Sequence, residues 1–350
     1  MRHHKHLPEC FLKVLTFSVF LYVYIRLIFV LANGKQNTWI YWLLRETIIR
    51  KTECIAINIC KRIMKSKKQP VIAGIGELLW DILPAGKKAG GAPVNFAYHT
   101  SASGAESYAI SAVGKDDLGE EIMDLINGIG INPLIARVDH PTGTVKVELK
   151  QGVPAYTITK EVAWDYIPFT DQVEEVARKV DAVCFGTLAQ RSATSRETIR
   201  RFLSLVPQES YRILDINLRP PFYSPGLIEE SIKECNILKL NDDELEILKE
   251  IFPIGTSDNK DACRWLMETY NLKHLILTAG ADYSMVFSSG TISFLETPGV
   301  KVVDTVGAGD SFTGAFITAL LKGESLEKAH REAVERAAAV CTVAGAWAGM

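Results

Sequence analysis

The chain has 350 residues, of which 47% are hydrophobic and 23% charged, as in a globular protein with one large or two medium domains. Its net charge of −2 is unevenly divided, because residues 1–63 carry 10 basic and 3 acidic residues, which leaves 29 basic and 38 acidic residues in 64–350. An acidic main body argues against a nucleic-acid partner, which would need clustered Lys and Arg.

The first segment, residues 1–63, supports two interpretations. Residues 14–32 are nearly all apolar and follow a basic start, as in a signal anchor, although Arg26 would cost about 2.5–3.5 kcal/mol at the centre of a membrane helix. The interpretation that we favour is that Met64 is the true start and that a gene model was extended upstream of it. The first interpretation predicts a membrane-anchored protein and the second a cytoplasmic one.

Seven cysteines are scattered along the chain, with no C-x-x-C pair and no histidine close enough to suggest zinc. They are Cys10, Cys54, Cys60, Cys184, Cys235, Cys263 and Cys341. We therefore expect free, buried thiols in a reducing compartment.

From residue 71 onward, short apolar runs alternate with helical patterns. Strands are predicted at 71–75, 108–113, 182–185, 212–216, 236–240 and 274–277, and helices at 118–126, at 194–205 and from Asp242. This alternation predicts an α/β fold whose mostly parallel sheet is covered by helices on both faces. Ligands of such sheets bind at the carboxyl ends of the strands.

One section breaks the alternation. Residues 144–149 and 155–159 alternate with period two and are separated by 150–154. They predict a hairpin with one solvent-facing side, which we interpret as a small flap over the site and not as part of the main sheet.

Two glycine-rich segments each precede a helical pattern. Gly90 and Gly91 come before a helix that opens with Pro93 near its first turn, and they open the backbone for close approach of a ligand. Gly307 and Gly309 precede a run in which residues 312, 315, 316, 319 and 320 are apolar, at helical spacing. The first N–H groups of a helix lack intrahelical partners, so this second segment is a candidate anion site.

Asp310 stands beside that candidate anion site. It is either an ordinary N-terminal capping residue or a base that acts on a group held there. The eleven-residue pattern over 304–314 favours the base.

Two further polar groups follow predicted strands. Asp215, Asn217 and Arg219 fall on one side if the strand stays extended, and Arg offers a fork of donors to phosphate or carboxylate. A polar strand end with a surface Arg is the alternative. Asn241 and Glu244 have the spacing of a capping box, and the functional alternative is that the carboxylate holds Mg²⁺ through water beside a nucleotide.

Several nucleotide and hydrolase motifs are missing from the sequence. There is no G-x-x-x-x-G-K-[ST] loop, no H-R-D kinase motif and no G-x-S-x-G elbow. Any phosphoryl transfer must therefore use the helix start at 307–310.

Residues 70–350 resemble the ribokinase-like (pfkB) family of carbohydrate kinases, and its fructokinase branch in particular. The resemblance rests on D-T-V-G-A-G-D at 304–310 and on G-G-A-P-V-N-F-A at 90–97, which match the family's two signatures in the correct order. It implies a kinase domain over 64–350, folded as a three-layer α/β sandwich. It also implies a small β lid from strands around 79–89 and 142–162.

The resemblance implies roles for individual residues. Asp310 would be the base, and the amides of Gly307, Ala308 and Gly309 would stabilise charge on the transferring phosphoryl group. The implied sugar contacts are Asp81, Gly90, Gly91 and Asn95, with Arg219 on phosphate or on an anionic substrate end. The implied nucleotide contacts are Asn241, Glu244, Thr278 and Gly280, with Glu244 reaching Mg²⁺ through water. Asp304 and Thr305 would form the monovalent-cation (K⁺) site that part of the family has.

Two departures from the family pattern are present. Tyr283 replaces the usual second glycine after the nucleotide strand, and the sequence stops at Met350 soon after Ala344-Gly345-Ala346. We expect an altered nucleotide loop and a weaker ATP site.

The expected function is ATP-dependent phosphorylation of D-fructose to fructose 6-phosphate. A 2-keto-3-deoxygluconate kinase or a ribokinase is the alternative with the same chemistry. An inactive sugar-binding regulator is the alternative of another class, and the intact Asp310 and its preceding glycines disfavour it. The expected partners are ATP and a small sugar, without nucleic acid, and a homodimer is left open.

Overall fold

The computed structural model describes residues 69–83, 86–150 and 153–347. The chain divides into two compact units, 1–68 and 69–350, and all described residues lie in the second. The apolar stretch 14–32 is therefore outside the described residues. Within them, no helix combines the length and the apolar character that crossing a membrane requires.

The main sheet has nine strands in the order β13-β12-β11-β10-β9-β8-β1-β4-β5. Seven of these strands are parallel to one another, while β12 and β13 run antiparallel at one edge. The strands are β1 (Val71–Ile75), β4 (Glu106–Gly114), β5 (Asn132–Val138), β8 (Ala182–Phe185), β9 (Tyr211–Asp215), β10 (Ile237–Asn241), β11 (His274–Ala279), β12 (Tyr283–Ser288) and β13 (Thr291–Glu296).

Nine α-helices are described, and side chains of Asp, Thr, Ser or Asn cap the starts of six of them. The helices are α1 (Ala92–Ala102), α2 (Asp117–Asn127), α3 (Asp171–Lys179), α4 (Ala193–Leu205), α5 (Pro225–Glu234), α6 (Asp242–Ile251), α7 (Asn259–Thr269), α8 (Ala308–Leu321) and α9 (Leu326–Val340). Short 3₁₀ turns lie at Ala163–Tyr166 and Leu188–Arg191.

The predicted α/β class is confirmed, and each predicted strand of the main sheet is present with ends shifted by two residues or fewer. The antiparallel pair β12 and β13 and the edge strand β5 were not predicted. Strands β5 and β13 are partly or largely exposed, so they lack the continuous apolar runs that identify buried parallel strands. Strand β12 is buried over its four central residues, but one of these is Ser284, which shortens its apolar run.

A second sheet has four strands in the order β3-β2-β6-β7. They are β2 (Leu79–Leu83), β3 (Gly86–Gly90), β6 (Gly143–Lys150) and β7 (Val153–Ile158). The antiparallel pair β6 and β7 is the predicted hairpin, and it pairs with β2 and not with the main sheet.

The core lies on both faces of the main sheet. Successive residues of one strand join different apolar clusters, as Ile213 and Leu214 of β9 do. Helices therefore cover the sheet on each side, which explains why its strands read as continuous apolar runs. Cys184, Cys235 and Cys263 are buried and Cys341 partly so, and all four are free, as predicted for these thiols.

Helices α1 and α8 pack directly against each other. A Cβ at Gly314 of α8 would lie 3.1 Å from the Cβ of His99 on α1, so a glycine here permits close helix packing. Because each helix begins at one of the two glycine motifs, this packing brings the motifs together although 215 positions separate Asn95 from Asp310.

Candidate active site

A pocket lies at the carboxyl ends of β1, β8 and β9, beside the starts of α1 and α8. It is lined by Glu77, Ala92, Pro93, Phe96, Cys184, Phe185, Gly186, Asp215, Asn217 and Asp310. The chain progresses from β1 toward β5 on one side and from β8 toward β13 on the other. The pocket therefore lies at the point where the strand order reverses, which is the usual ligand site of such sheets.

Asp310 is the third residue of α8 and is partly buried. Its Oδ2 accepts a hydrogen bond of 2.8 Å from Nδ2 of Asn95. Loss of water around the carboxyl group raises the pKa of Asp310 to about 7, and the charge of Asp215 also raises it, while Asn95 and Lys239 lower it. Asp310 therefore changes protonation near neutral pH.

Trp347 determines the orientation of Asn95. Its indole Nε1–H donates to Oδ1 of Asn95 at 2.9 Å, and an indole N–H can only donate. The amide NH₂ of Asn95 must therefore point to Asp310. Trp347 is 7% exposed, and nothing in the sequence pattern had marked it as a site residue.

The segment from Gly345 to Trp347 packs along the site. The Gly345 N–H donates to Oδ2 of Asp304 at 2.9 Å, and the Ala346 carbonyl accepts from Nε2 of His99 at 2.9 Å. Burial lowers the pKa of His99 to about 4, so its ring is neutral. The segment thus connects the loop before α8 with α1.

The start of α8 presents backbone donors. Gly307 has a left-handed φ of 80°, and a Cβ there would lie 2.6 Å from the Cβ of Ala346. The predicted use of the Ala308 amide needs correction, because this N–H donates to the Thr305 carbonyl at 3.2 Å. The amides of Gly307, Gly309 and Asp310 have no partner among the described residues, so they remain available as donors.

Lys239 is a buried cation that sequence inspection overlooked. Its Nζ lies 3.1 Å from Oδ1 of Asp215, and a Cβ at Gly309 would lie 2.9 Å from the same Nζ. Burial lowers the pKa of Lys239, but the charges of Asp215, Glu244 and Asp310 outweigh it, so that the pKa is raised and the ammonium form persists. A lysine inside the apolar run of a predicted buried strand was the available signal.

The implied sugar contacts lie on the side of the second sheet. A Cβ at Gly90 would lie 3.2 Å from Oδ2 of Asp81, and a Cβ at Gly91, whose φ is 124°, would lie 2.2 Å from the Glu77 carbonyl oxygen. Gly91 thus permits close packing of the chain on itself, and its positive φ favours glycine. Burial raises the pKa of Asp81, which the nearby charge of Arg219 opposes.

The expected alternation of Asp215, Asn217 and Arg219 is wrong. Strand β9 ends at Asp215, and Asn217 has a φ of 42°, so the backbone does not stay extended. Asp215 and Asn217 both line the pocket, while Arg219 is exposed and donates to the Leu218 carbonyl at 2.9 Å.

The implied nucleotide contacts lie at the ends of β10 and β11. Asn241 is the register partner of Thr278, and the exposed Gly280, with a φ of 50°, follows β11. Asn241 and Glu244 form the complete capping box at the start of α6. Glu244 is 5% exposed, and its two oxygens accept the N–H groups of Asn241 and Leu218, each at 2.9 Å.

The candidate monovalent-cation residues have other partners. Asp304 accepts from Lys88 Nζ at 2.8 Å, from the Gly345 N–H at 2.9 Å and from the Val306 N–H at 3.1 Å. These donors lower the pKa of Asp304 against the opposing effect of desolvation. A carboxylate that is already neutralised by an ammonium group does not fit the binding of K⁺, and Thr305 is exposed.

Comparison with known proteins identifies the family. The model of the pfkB family carbohydrate kinases matches residues 83–350. The chain belongs to this family. The predicted ATP-dependent sugar kinase is thereby confirmed as the class of enzyme, and the predicted fold is confirmed as well.

Three similar proteins illustrate the range of this family. The crystal structure of an uncharacterized sugar kinase from Pyrococcus horikoshii in complex with ATP has 27% identity and a TM-score of 0.68, covering 79% of this chain and 94% of that one. "Probable fructokinase-5" of Arabidopsis thaliana is 28% identical over 279 residues, which are 73% of this chain and 85% of the relative. The 2-dehydro-3-deoxygluconokinase of Thermoproteus tenax is 26% identical over 273 residues, or 74% and 81% of the two chains.

Proposed function

We propose that this pfkB kinase transfers the γ-phosphoryl group of ATP to D-fructose and forms fructose 6-phosphate. The observation that carries the proposal is the position of Asp310. Asn95 holds its carboxyl group at the pocket, and Asp310 forms no capping box with the residue before the helix, Gly307. The free amides of Gly309 and Asp310 lie in the same helical turn. A base beside an anion site is the arrangement that phosphoryl transfer to a hydroxyl group requires.

In the proposed reaction, Asp310 takes the proton of a sugar hydroxyl. The hydroxyl oxygen forms a bond to the γ-phosphorus while the bond from that phosphorus to the β,γ-bridging oxygen breaks, leaving ADP. The amides of Gly309 and Asp310 stabilise charge on the transferring group, and the Lys239 ammonium beneath Gly309 adds a positive charge. The pKa of Asp310 near 7 suits a base that works at neutral pH.

On the sugar side, we propose that Asp81, Asn95 and the backbone at Gly90 and Gly91 surround the substrate. Asn95 retains one N–H for a sugar hydroxyl, because its NH₂ group has two hydrogens and one of them is donated to Asp310. The second sheet would act as the lid, since Lys88 on β3 reaches Asp304 beside the anion turn at 2.8 Å.

On the nucleotide side, we propose Asn241, Thr278 and Gly280 as ATP contacts, because they meet at the carboxyl ends of neighbouring strands. Mg²⁺ is usually held by phosphates, waters and one or two carboxylates, and it neutralises charge on the phosphates. Glu244 fits a contact through water, since each carboxylate oxygen that accepts one N–H keeps a further lone pair.

The charges around the pocket favour a neutral sugar. Asp215 and Asp310 both line it, so an anionic substrate group is disfavoured there. Arg219 supports the second candidate, 2-keto-3-deoxygluconate, because its charge acts on Asp81 and Glu77 and its guanidinium could pair with the sugar carboxylate.

A coupled assay of ADP release by the full chain tests the assignment, with D-fructose, 2-keto-3-deoxygluconate and D-ribose as substrates. We expect the highest kcat/KM with D-fructose, and NMR of the product should show phosphate on O6. A higher value with the acid would favour the second candidate, and Arg219→Met should then abolish that activity selectively. No phosphorylation of any ketose would refute the fructokinase assignment.

A further inference from the structure

Glu77 is a buried acid at the pocket, and it lies outside both signature segments, 90–97 and 304–310. It follows β1 directly after Gly76, is 4% exposed, and lines the pocket together with Asp215, Asn217 and Asp310. Its position places it on the sugar side, next to the start of α1.

The two carboxyl oxygens of Glu77 have different surroundings. Oε1 accepts a long hydrogen bond of 3.3 Å from the Ala92 N–H at the first residue of α1. Oε2 is buried and has no hydrogen-bond partner among the described residues. Buried polar atoms are nearly always paired, so an unpaired oxygen on a residue that lines the pocket points to a ligand that completes it.

The loop that carries Glu77 has contacts of its own besides the carboxyl group. The Gly76 N–H donates to the Ile110 carbonyl at 3.1 Å, and the Gly76 carbonyl accepts from the Ser111 hydroxyl at 2.6 Å. The Glu77 carbonyl oxygen lies where a Cβ of Gly91 would otherwise be. These contacts position the loop without the Glu77 carboxyl group, and Oε2 is left for another role.

We propose that Glu77 is a sugar ligand whose Oε2 forms a hydrogen bond with a hydroxyl group of the substrate. The proposal rests on the sugar-kinase function but not on fructose as the particular sugar. The ligand class is a neutral polyhydroxy sugar, because Asp215 and Asp310 line the same pocket and would repel a substrate carboxylate.

The surroundings of Glu77 disfavour the charged form of its carboxyl group. Burial is the largest influence and raises the pKa of Glu77, and the charge of Asp215 acts in the same direction. Backbone hydrogen bonds and the charge of Arg219 oppose this rise without cancelling it. A protonated carboxyl group has one O–H donor, which a sugar hydroxyl oxygen can accept.

Calorimetric sugar binding by the full chain without ATP tests the proposal. The ligands are the sugar that the wild type phosphorylates best and its single-deoxy analogues. We expect one analogue to bind the wild type roughly 10- to 100-fold more weakly than the parent sugar. Glu77→Leu should weaken binding of the parent sugar by a similar factor and leave the affinity for that analogue unchanged. The KM for ATP should stay within about twofold of the wild-type value.

Glu77→Gln provides a second, nearly isosteric variant. Its amide keeps an oxygen for the Ala92 N–H and places an N–H donor where Oε2 was, so we expect affinity within about threefold of wild type and the same discrimination. Asp116→Asn is the matched control, because Asp116 also holds an amide near a helix start, that of Gly119 at 2.8 Å, but does not line the pocket.

Specific outcomes would overturn the proposal. These are unchanged sugar affinity in Glu77→Leu, an equal loss for the parent sugar and every analogue, or a loss in Glu77→Gln as large as that in Glu77→Leu. If the preferred sugar is not fructose, the fructose assignment fails while the same comparison, made with the preferred sugar, still decides the role of Glu77.

Discussion

Two acids, Asp310 and Glu244, occupy the same position in two helices and differ in what holds them. Each is the third residue of a helix, α8 and α6 respectively. Both lie close enough to the Lys239 ammonium to raise its pKa. Their local geometry therefore predicts the same capping role for both.

The residue before each helix creates the difference. Asn241 has a side chain that accepts the Glu244 N–H at 2.7 Å, and Glu244 returns to the Asn241 N–H, which closes the box. Gly307 has no side chain and a left-handed φ, so no box forms at α8. Asp310 is held instead by Asn95 from another helix and lines the pocket. An acid without a capping partner is thus left free for chemistry.

The largest expected effect is the loss of activity when Asp310 is replaced. Asp310→Asn should lower kcat by roughly 10²- to 10⁴-fold, because the base is lost, while sugar affinity stays close to that of wild type. Steady-state kinetics together with calorimetric sugar binding measure both quantities. An unaffected kcat would remove Asp310 from the mechanism and make it a second capping residue.

For the free energy of unfolding, we expect the larger loss when Glu244 is replaced and not when Asp310 is replaced. Glu244→Ala leaves the N–H groups of Asn241 and Leu218 without their acceptor, so we expect a loss of about 1–3 kcal/mol in the free energy of unfolding. Asp310→Asn should be neutral or stabilising, since it removes an acid whose ionisation the site disfavours. Urea denaturation checks both variants. Equal destabilisation would contradict the distinction drawn between the two acids.

The support of Asp310 by Trp347 can be tested separately. Trp347→Phe removes the donor that orients Asn95, and we expect kcat to fall by about 3- to 10-fold, the effect of one lost hydrogen bond. Trp164→Phe is the matched control, because the buried Nε1 of Trp164 has no partner among the described residues. The same fall in both variants would indicate lost packing rather than lost orientation.

The pH dependence should move in opposite directions in two variants. For the wild type, kcat/KM for the sugar should rise with pH through about 7, as Asp310 loses its proton. Lys239 lowers the pKa of Asp310 and Asp215 raises it. Lys239→Met should therefore move this rise to higher pH, and Asp215→Asn to lower pH. Profiles that shift in the same direction would show that neither charge acts on the base.

The smallest expected effect concerns Lys88. Its pair with Asp304 is partly exposed, with side-chain exposures of 38% and 16%, so Lys88→Met should cost no more than about 1 kcal/mol of stability. Because the ammonium neutralises Asp304, wild-type activity should be the same in potassium and tetramethylammonium chloride. Stimulation by K⁺ in Lys88→Met alone would fit this view, and wild-type dependence on K⁺ would contradict it.

Local patterns in the sequence determined much of this protein. Alternating apolar runs and helical periods predicted the parallel strands, because burial on both faces of a sheet leaves a direct trace in the residues of each strand. The capping box of Asn241 and Glu244 is equally local, since both partners lie within one helical turn. The helix after Gly307 and its candidate acid were also readable from a short stretch.

Only the tertiary structure decided which side chains meet. Asn95 and Asp310 are distant in the chain, and Trp347, Lys239 and Glu77 belong to separate elements that meet at the pocket or behind it. The turn at Asn217 could not be predicted because its positive φ interrupts an alternation that suggested extended backbone. The spacing of residues in the sequence predicts on which face of its own helix or strand a side chain lies. Contacts between different elements depend on how the sheet and its helices pack.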